Sequence, residues 1–424
     1  MRKPNIILIV LDTLREDYAQ GLDRLLDYGF VKYQNAIAPA PWTLPSHVSM
    51  FTGLYPSEHG IHETKELRGY ELIKYSQFRM KALADYNIMT KLRDEGYTTY
   101  LISANSAFVN PIAGFEADVN IVIDPITNLV VTKDIMTIAT IEAELEKLGG
   151  KLNFLIHNLK EMNITKLAIG AKLFLLGRLK TFPKHISERF IREKGGRLVL
   201  SFVKKLQFKE PFFLFVNLME SHNPYTVLRE DRNIVCSALR WVLTGRLQPE
   251  DKRFWRTYPM HAERAIKRAI ELISIIGGKY DLGNTLIIIT SDHGELLGND
   301  GAYHIYSLRD GNIRVPLYVK YPESWKKKKQ KTYISLTELS KILNPQIDTI
   351  GSEFVIAETF GPHYADSSFE KCGFEKPSIN IFHHKIRILG KKTDILFDKT
   401  LGEVEYAKGE GAGQILAELF RQEV

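Results

Sequence analysis

The sequence is short of cysteine: Cys236 and Cys372 are the only two in 424 residues, too few for a disulfide framework or a cysteine zinc site. They lie far apart along the chain, which fits a reducing compartment. Long apolar runs are also missing. None approaches the roughly 18 uninterrupted residues of a membrane span, and the best stretch, Leu167 to Leu176, is broken by Lys172. A secretory leader is not indicated either, because the apolar run Ile6 to Leu11 is too short and Asp12, Arg15, Glu16 and Asp17 follow at once. Together these absences point to a cytoplasmic protein.

What is present is ordinary in bulk and uneven in charge. Apolar residues make up 44% and charged residues 25%, as in soluble globular proteins. The net charge of +7 is concentrated: residues 151–210 hold 14 Lys and Arg against 4 Glu, so the remainder is slightly acidic. Within that stretch Leu152, Leu155, Ile156, Leu159 and Met162 recur at helical spacing. One reading is a set of amphipathic helices with a solvated basic face. The other is a patch for an anionic membrane surface or an acidic polymer, leaving the protein peripheral at the membrane. Nucleic acid is not expected, since no recognition motif accompanies the charge.

Continuous apolar runs predict strands buried on both faces of a parallel sheet at Ile6 to Leu11, Gly96 to Ile102, Phe212 to Leu218 and Thr285 to Thr290. A fifth strand is expected at Val315 to Val319. Helical segments alternate with them, which gives an α/β fold with a doubly wound, mostly parallel sheet. Residues 1–325 form the expected catalytic domain, with a basic helical insert at about 120–210. Residues 326–424 form a small antiparallel α+β subdomain, from strand-like pieces at Ile379 to Phe382, Ile386 to Leu389 and Ile395 to Phe397.

Polar residues follow the strand ends: Asp12, Asn105, His222, then Asp292 with His293. In open α/β sheets that edge binds ligands. Pro41 and Pro45 constrain a bend that holds Thr43, and Ser46 is placed to cap a short helix ending near Gly53. Such a helix would aim backbone N–H groups at an anion beside Thr43. Asp12, Asp292 and His293 are a borderline donor set suited to Mn²⁺ or Zn²⁺, with the Thr43 hydroxyl as the next ligand. A metal there would lower the pKa of the hydroxyl and offset charge on a transferring phosphoryl group. Asn105 would share that task, and His222 and His304 would bind other oxygens or protonate a leaving group. A second metal on His222 or His304 stays open.

These residues resemble the alkaline phosphatase/sulfatase superfamily, in its sulfatase-like branch. The resemblance runs through Pro4-Asn5 with Asp12-Thr13-Leu14-Arg15, Thr43-Leu44-Pro45-Ser46-His47 continuing to His59-Gly60, and Gly96-Tyr97-Thr98-Thr99. It continues through Glu220 to Tyr225, and Ser291 to Glu295 with Arg314-Val315-Pro316-Leu317. It implies that Asp12, Asp292 and His293 are metal ligands and that Thr43 is both ligand and nucleophile. Sulfatases oxidise a Cys or Ser at that position to formylglycine, whereas oxidising a threonine gives a ketone. His47 stands where those enzymes keep an arginine beside the oxidised residue, Asn105 where they place a lysine, and Thr13 where a second aspartate is usual. Each change is similar to relatives with a threonine nucleophile, which handle phosphate esters. The expected function is a metal-dependent phosphoesterase or phosphotransferase with a phosphothreonine intermediate on Thr43. The alternatives are a sulfate-ester hydrolase using unmodified Thr43 and a non-catalytic binding protein that keeps the fold.

Overall fold

The structure, a computed structural model, describes residues 2–125, 128–132, 141, 144–145, 148, 151–179, 193–225, 231–298, 301–304, 306–361, 372–374, 382–409 and 411–415. Strands β1 (Asn5–Leu11), β2 (Val31–Ile37), β3 (Thr98–Ser103), β4 (Val119–Asp124), β5 (Leu129–Val130), β6 (Phe212–Leu218) and β7 (Thr285–Thr290) build most of one large sheet. A short hairpin of β8 (Leu296–Leu297) and β9 (Ala302–Tyr303) follows, and then β10 (Arg314–Lys320) returns to the sheet. A two-residue pair links β11 (Lys329–Gln330) with β13 (Thr349–Ile350), while β12 (Ile334–Ser335) joins the large sheet beside β2. The order across the nine strands is β12-β2-β10-β7-β1-β6-β3-β4-β5.

Strands β7, β1, β6, β3 and β4 are mutually parallel. Every residue of β1, β6 and β7 is buried. That two-sided burial is why their sequences run apolar without alternation. The register levels the carboxyl ends: Val10 pairs with Asn217 and with Thr290, and Ser103 pairs with Asn217. The residues that follow these strands therefore emerge side by side at one edge.

Four expected strands of the parallel core are present within two residues of their expected bounds. The fifth is present but runs antiparallel to both β7 and β2. Strand β4 belongs to the central sheet, although its position at Val119 had placed it in the insert. A four-stranded antiparallel sheet of β14 (Phe354–Thr359), β15 (Lys385–Gly390), β16 (Thr393–Asp398) and β17 (Glu403–Gly409) forms the small C-terminal element. The expected piece at 379–382 lies outside the described residues except for Phe382.

Two readings need correction. Cys236 and Cys372 form a disulfide, with Cα atoms 5.3 Å apart. Separation along the chain was a poor guide to separation in space, and the argument from thiols to a reducing compartment falls away. In the insert, the helix Lys151–Lys160 buries Phe154 and Asn158 but leaves Leu152, Leu155, Ile156 and Leu159 exposed. The apolar stripe is thus turned to solvent and away from the core. Among the described residues, no helix is long and apolar enough to cross a membrane.

Phe215 of β6 sits beneath the functional edge, with ring centroids 4.9 Å from Phe51 and 5.9 Å from His47. Truncation there leaves a cavity in a close-packed layer. Phe215→Ala should lower unfolding free energy by about 3–5 kcal/mol in denaturant titration; a loss below about 1 kcal/mol would contradict this packing.

Candidate active site

Helix α1 (Thr43–Thr52) starts directly after Trp42, whose backbone is extended (φ −155°, ψ 166°), and is buried at all ten residues. Pro45 is its third residue, where a missing N–H costs no intrahelical hydrogen bond. The start is therefore four residues earlier than a Ser46 cap would give. Ser46 instead donates from its hydroxyl to the Asp292 carbonyl at 2.6 Å, pinning α1 to the end of β7. The helix ends at Gly53 in the left-handed region (φ 77°), as the sequence indicated. Thr43 thus stands at the positive end of a buried helix, where an anion is favoured.

Asp12 leaves β1 with its N–H bonded to the Leu218 carbonyl at 2.9 Å. The chain then turns sharply, with Thr13 at φ 64°. A β-branched residue seldom takes that conformation, at a cost of order 1–3 kcal/mol. Surrounding bonds hold it there: the Thr13 N–H donates to Asp292 Oδ1 (3.2 Å), the Leu14 N–H donates to Ser291 Oγ (2.9 Å), and the Tyr258 hydroxyl donates to the Thr13 carbonyl (2.7 Å). The bend locks the end of β1 to the end of β7.

Asp12, Asp292 and His293 converge, each offering a ligand atom within 4.8 Å of the others. Asp12 Oδ1 and Asp292 Oδ2 are buried and accept no hydrogen bond. Two such oxygens beside an imidazole fit a divalent cation of intermediate softness. His293 Nδ1 lies 2.8 Å from the Gly294 carbonyl, so Nδ1 holds the ring proton and Nε2 presents its lone pair. That lone pair faces Thr43 Oγ1 at 3.2 Å. Burial, followed by the charge of Asp292, pushes Asp12 well above the carboxylate range. Burial also penalises Asp292, yet the imidazoles of His293 and His47 outweigh it and lower its pKa. In the metal-free protein a proton is thus favoured on Asp12 over Asp292.

Asn105 and His47 stand behind the ligands. Asn105 donates from Nδ2 to Asp12 Oδ2 (3.0 Å), and its Oδ1 accepts from the Phe108 N–H (2.9 Å). His47 is fully buried, with Nδ1 2.9 Å from the Thr43 carbonyl and 3.5 Å from Asp292 Oδ2. Its Nε2 accepts from Asn217 Nδ2 at 3.3 Å. Both residues were expected to face substrate, and their observed partners include the Asp12 and Asp292 carboxylates and the backbone of Thr43.

His222 and His304 reach the same place as a wall of rings. His304 lies 4.6 Å from His293 and 5.0 Å from His222, centroid to centroid. Burial holds His222 down to about 3, so it is neutral near pH 7. His304 Nδ1 is 3.1 Å from Glu295 Oε2, which also accepts from the Tyr225 hydroxyl (2.8 Å). Burial pushes Glu295 up to about 8.

Several residues escaped sequence reasoning. Asn217 sits inside a strand whose apolar neighbours hid it, although an amide in such a run was a usable signal. Ser221 donates to the Asp12 carbonyl at 2.7 Å. Lys194 belongs to the basic stretch read as surface, yet it is buried and donates to the carbonyls of Glu220 and His222. Nothing in its local sequence separates it from the exposed lysines around it.

The Sulfatase family profile matches residues 4–235 and 271–344, well over half of the chain. No curated protein matches. Among solved structures, the chain is similar to the phosphonate monoester hydrolase of Agrobacterium radiobacter, at 15% identity and TM-score 0.52, covering 93% of this chain and 87% of that one. It is also similar to a 2-O GAG sulfatase, at 13% identity and TM-score 0.57, covering 99% and 91%. A third structure, captured with its substrate D-glucosamine-2-N,6-O-disulfate, aligns at 12% identity and TM-score 0.56, covering 97% and 92%. At such identities these likenesses speak for the fold. The chain belongs to the sulfatase family, within the alkaline phosphatase/sulfatase superfamily. It is a hydrolase acting on sulfate or phosphate esters. Members of the family are metal dependent, and the Asp-Asp-His cluster could bind a metal.

Gly294 shows how tightly this edge is built. Its N–H donates to the Asn312 carbonyl at 2.7 Å, and a Cβ added there would lie 2.0 Å from the Gly311 carbonyl oxygen. Gly294→Ala must push the backbone apart and displace His293. We expect a stability loss of about 2 kcal/mol or more in thermal or denaturant unfolding, with a larger fractional loss of turnover; a stable, fully active variant would contradict the packing.

Proposed function

We propose that the protein is a metal-dependent phosphoesterase or phosphotransferase that works by double displacement on Thr43. The observation that carries this is the Thr43 hydroxyl at the head of α1, 3.2 Å from His293 Nε2 and beside two carboxylates with unsatisfied oxygens. A threonine also closes the formylglycine route by its chemistry alone. Asp12, Asp292 and His293 would hold one Mn²⁺ or Zn²⁺, with Thr43 as a further ligand. The metal would supply Lewis acidity, lowering the pKa of the hydroxyl and offsetting phosphoryl charge. A second metal on His222 or His304 stays open.

In the first step the Thr43 oxygen bonds to phosphorus as its proton passes to water, and the ester P–O bond breaks. The departing oxygen takes a proton from a histidine. His304 fits that task, because Glu295 beside Nδ1 orients the ring toward the site. Neutral His222 fits a hydrogen bond to another substrate oxygen. In the second step water, or an acceptor alcohol, bonds to phosphorus and gives its proton to the now neutral His304, while the Thr43–phosphorus bond breaks and the Thr43 oxygen regains a proton from water. Asn105 and His47 act through Asp12, Asp292 and the Thr43 backbone, setting the shape into which substrate oxygens fit.

The rival reading is sulfate-ester hydrolysis by unmodified Thr43, which the family match and the likeness to a structure holding a glucosamine disulfate favour. We also assign an anionic partner to the basic stretch 151–210. An aryl phosphate monoester, an aryl phosphodiester and an aryl sulfate, assayed side by side with Mn²⁺ or Zn²⁺, separate the readings. Phosphate esters should turn over fastest, Thr43→Ala should lose roughly 10³-fold or more, and chelation should abolish the rate. Faster sulfate hydrolysis would favour the rival, and a fully active Thr43→Ala would sink both. No turnover together with no metal uptake would favour a binding protein that keeps the fold.

Metal uptake should also release a proton. Asp12 must be ionised to become a ligand and its raised pKa opposes that, so affinity should weaken as pH falls. Calorimetry of Mn²⁺ or Zn²⁺ binding in two buffers of different ionisation enthalpy measures the proton count; a pH-independent affinity with no release would contradict the shared-proton account.

A further inference from the structure

The helix Lys151–Lys160 and the start of the next one, Ile164–Leu179, carry a surface that the catalytic reading does not use. Leu152, Leu155, Ile156 and Leu159 are exposed by 70%, 37%, 44% and 63%, and Met162 and Ile164 beyond them by 80% and 74%. At about 100° per residue, Leu152, Leu155, Ile156 and Leu159 fall within an arc of roughly 100°. The two buried residues of this helix, Phe154 and Asn158, lie on the opposite side. The helix is therefore fastened to the protein by its back and presents its apolar face outward. That is the reverse of an ordinary surface helix, which buries the apolar stripe.

The charges are placed to match. Lys151 and Lys160, both exposed, fall on the two borders of the stripe at roughly 100° and 80° from Leu152. An apolar stripe with lysines at its margins is the pattern of a helix lying in a lipid interface, where alkyl stems run along the apolar zone and ammonium groups reach the headgroups. The stretch 151–210 as a whole contains 14 Lys and Arg against 4 Glu. An acidic polymer would use those charges but has no need of six exposed apolar side chains. Charge and apolar surface together select an anionic bilayer.

We propose that this exposed edge docks the protein on the surface of a membrane rich in anionic lipid, with Leu152, Leu155, Ile156, Leu159, Met162 and Ile164 entering the interface and Lys151 and Lys160 meeting headgroups. It develops the anionic-partner reading and is independent of the chemistry at Thr43. Docking of this kind brings the enzyme to a surface through one helix face.

Co-sedimentation with vesicles tests the proposal, using the full chain, phosphatidylcholine alone, and phosphatidylcholine mixed with phosphatidylglycerol. Binding should appear with the mixed vesicles, weaken as salt is raised, and be slight with phosphatidylcholine alone. The triple variant L155S/L159S/M162S should lose roughly tenfold or more in partitioning at fixed salt, and Lys160→Glu should weaken binding and flatten its dependence on anionic lipid. Thermal midpoint and turnover of a soluble aryl ester should stay unchanged in both variants, which separates a docking failure from a folding or catalytic one. Three outcomes would overturn it: no binding to mixed vesicles at low salt, equal binding by the triple variant, or self-association that the triple variant abolishes in sedimentation velocity while vesicles are ignored.

Discussion

Asp12 and Asp292 are both fully buried, and their ligand oxygens lie within 4.8 Å of one another and of His293. Two ionised carboxylates at that spacing repel by about 3–4 kcal/mol at an effective dielectric of about 20, and burial adds a desolvation cost for each. A fold that forces them together must answer that cost. The metal-free protein answers it with a raised Asp12 pKa that favours a proton there, amide donors on Asp12 Oδ2, and the imidazoles of His47 and His293 near Asp292. The two oxygens left without a hydrogen bond are where a divalent cation would complete the balance.

Much of the surrounding architecture follows from keeping that pair in place. The parallel register brings the ends of β1, β6, β3 and β7 to one level. The left-handed turn at Thr13 and the close approach at Gly294 then fix Asp12 against Asp292 with backbone bonds. Helix α1 is tied to the same strand end through Ser46, so the Thr43 hydroxyl is set beside the carboxylates by the main chain as well as by its own side chain. Lys194, reaching in from the insert, fastens the loop that carries His222. The site is rigid at its metal end, and its histidine wall is shaped by carbonyls and a buried glutamate.

The sequence made the parallel core legible because strands buried on both faces read as unbroken apolar runs, as in Ile6 to Leu11 and Thr285 to Thr290. It made Asp12, Asp292 and His293 legible as candidates because Asp12 follows such a run directly and the other two follow one after a single serine. It did not show β2, whose alternating and partly exposed residues, Val31 to Ile37, lack that signal. It gave no direction for β10, since an antiparallel and a parallel buried strand have the same composition. The pairing of Cys236 with Cys372 and the burial of Lys194 depend on contacts between segments far apart in sequence. His47 and Asn105 could be assigned to the site from their motifs, but their orientation toward the carboxylates required the ring contact with Phe215 and the hydrogen bond from the Phe108 N–H.

The central claim is that Thr43 becomes covalently bonded to the transferred group. Rapid acid quench of the metal-loaded protein during turnover of an aryl phosphate ester, followed by peptide mass spectrometry, reads this directly. The account predicts the mass of one phosphoryl group on the peptide that contains Thr43, located at that residue by fragmentation and absent from Thr43→Ala. Turnover in the quenched sample with an unmodified Thr43, or with the phosphoryl group on a histidine, would contradict it.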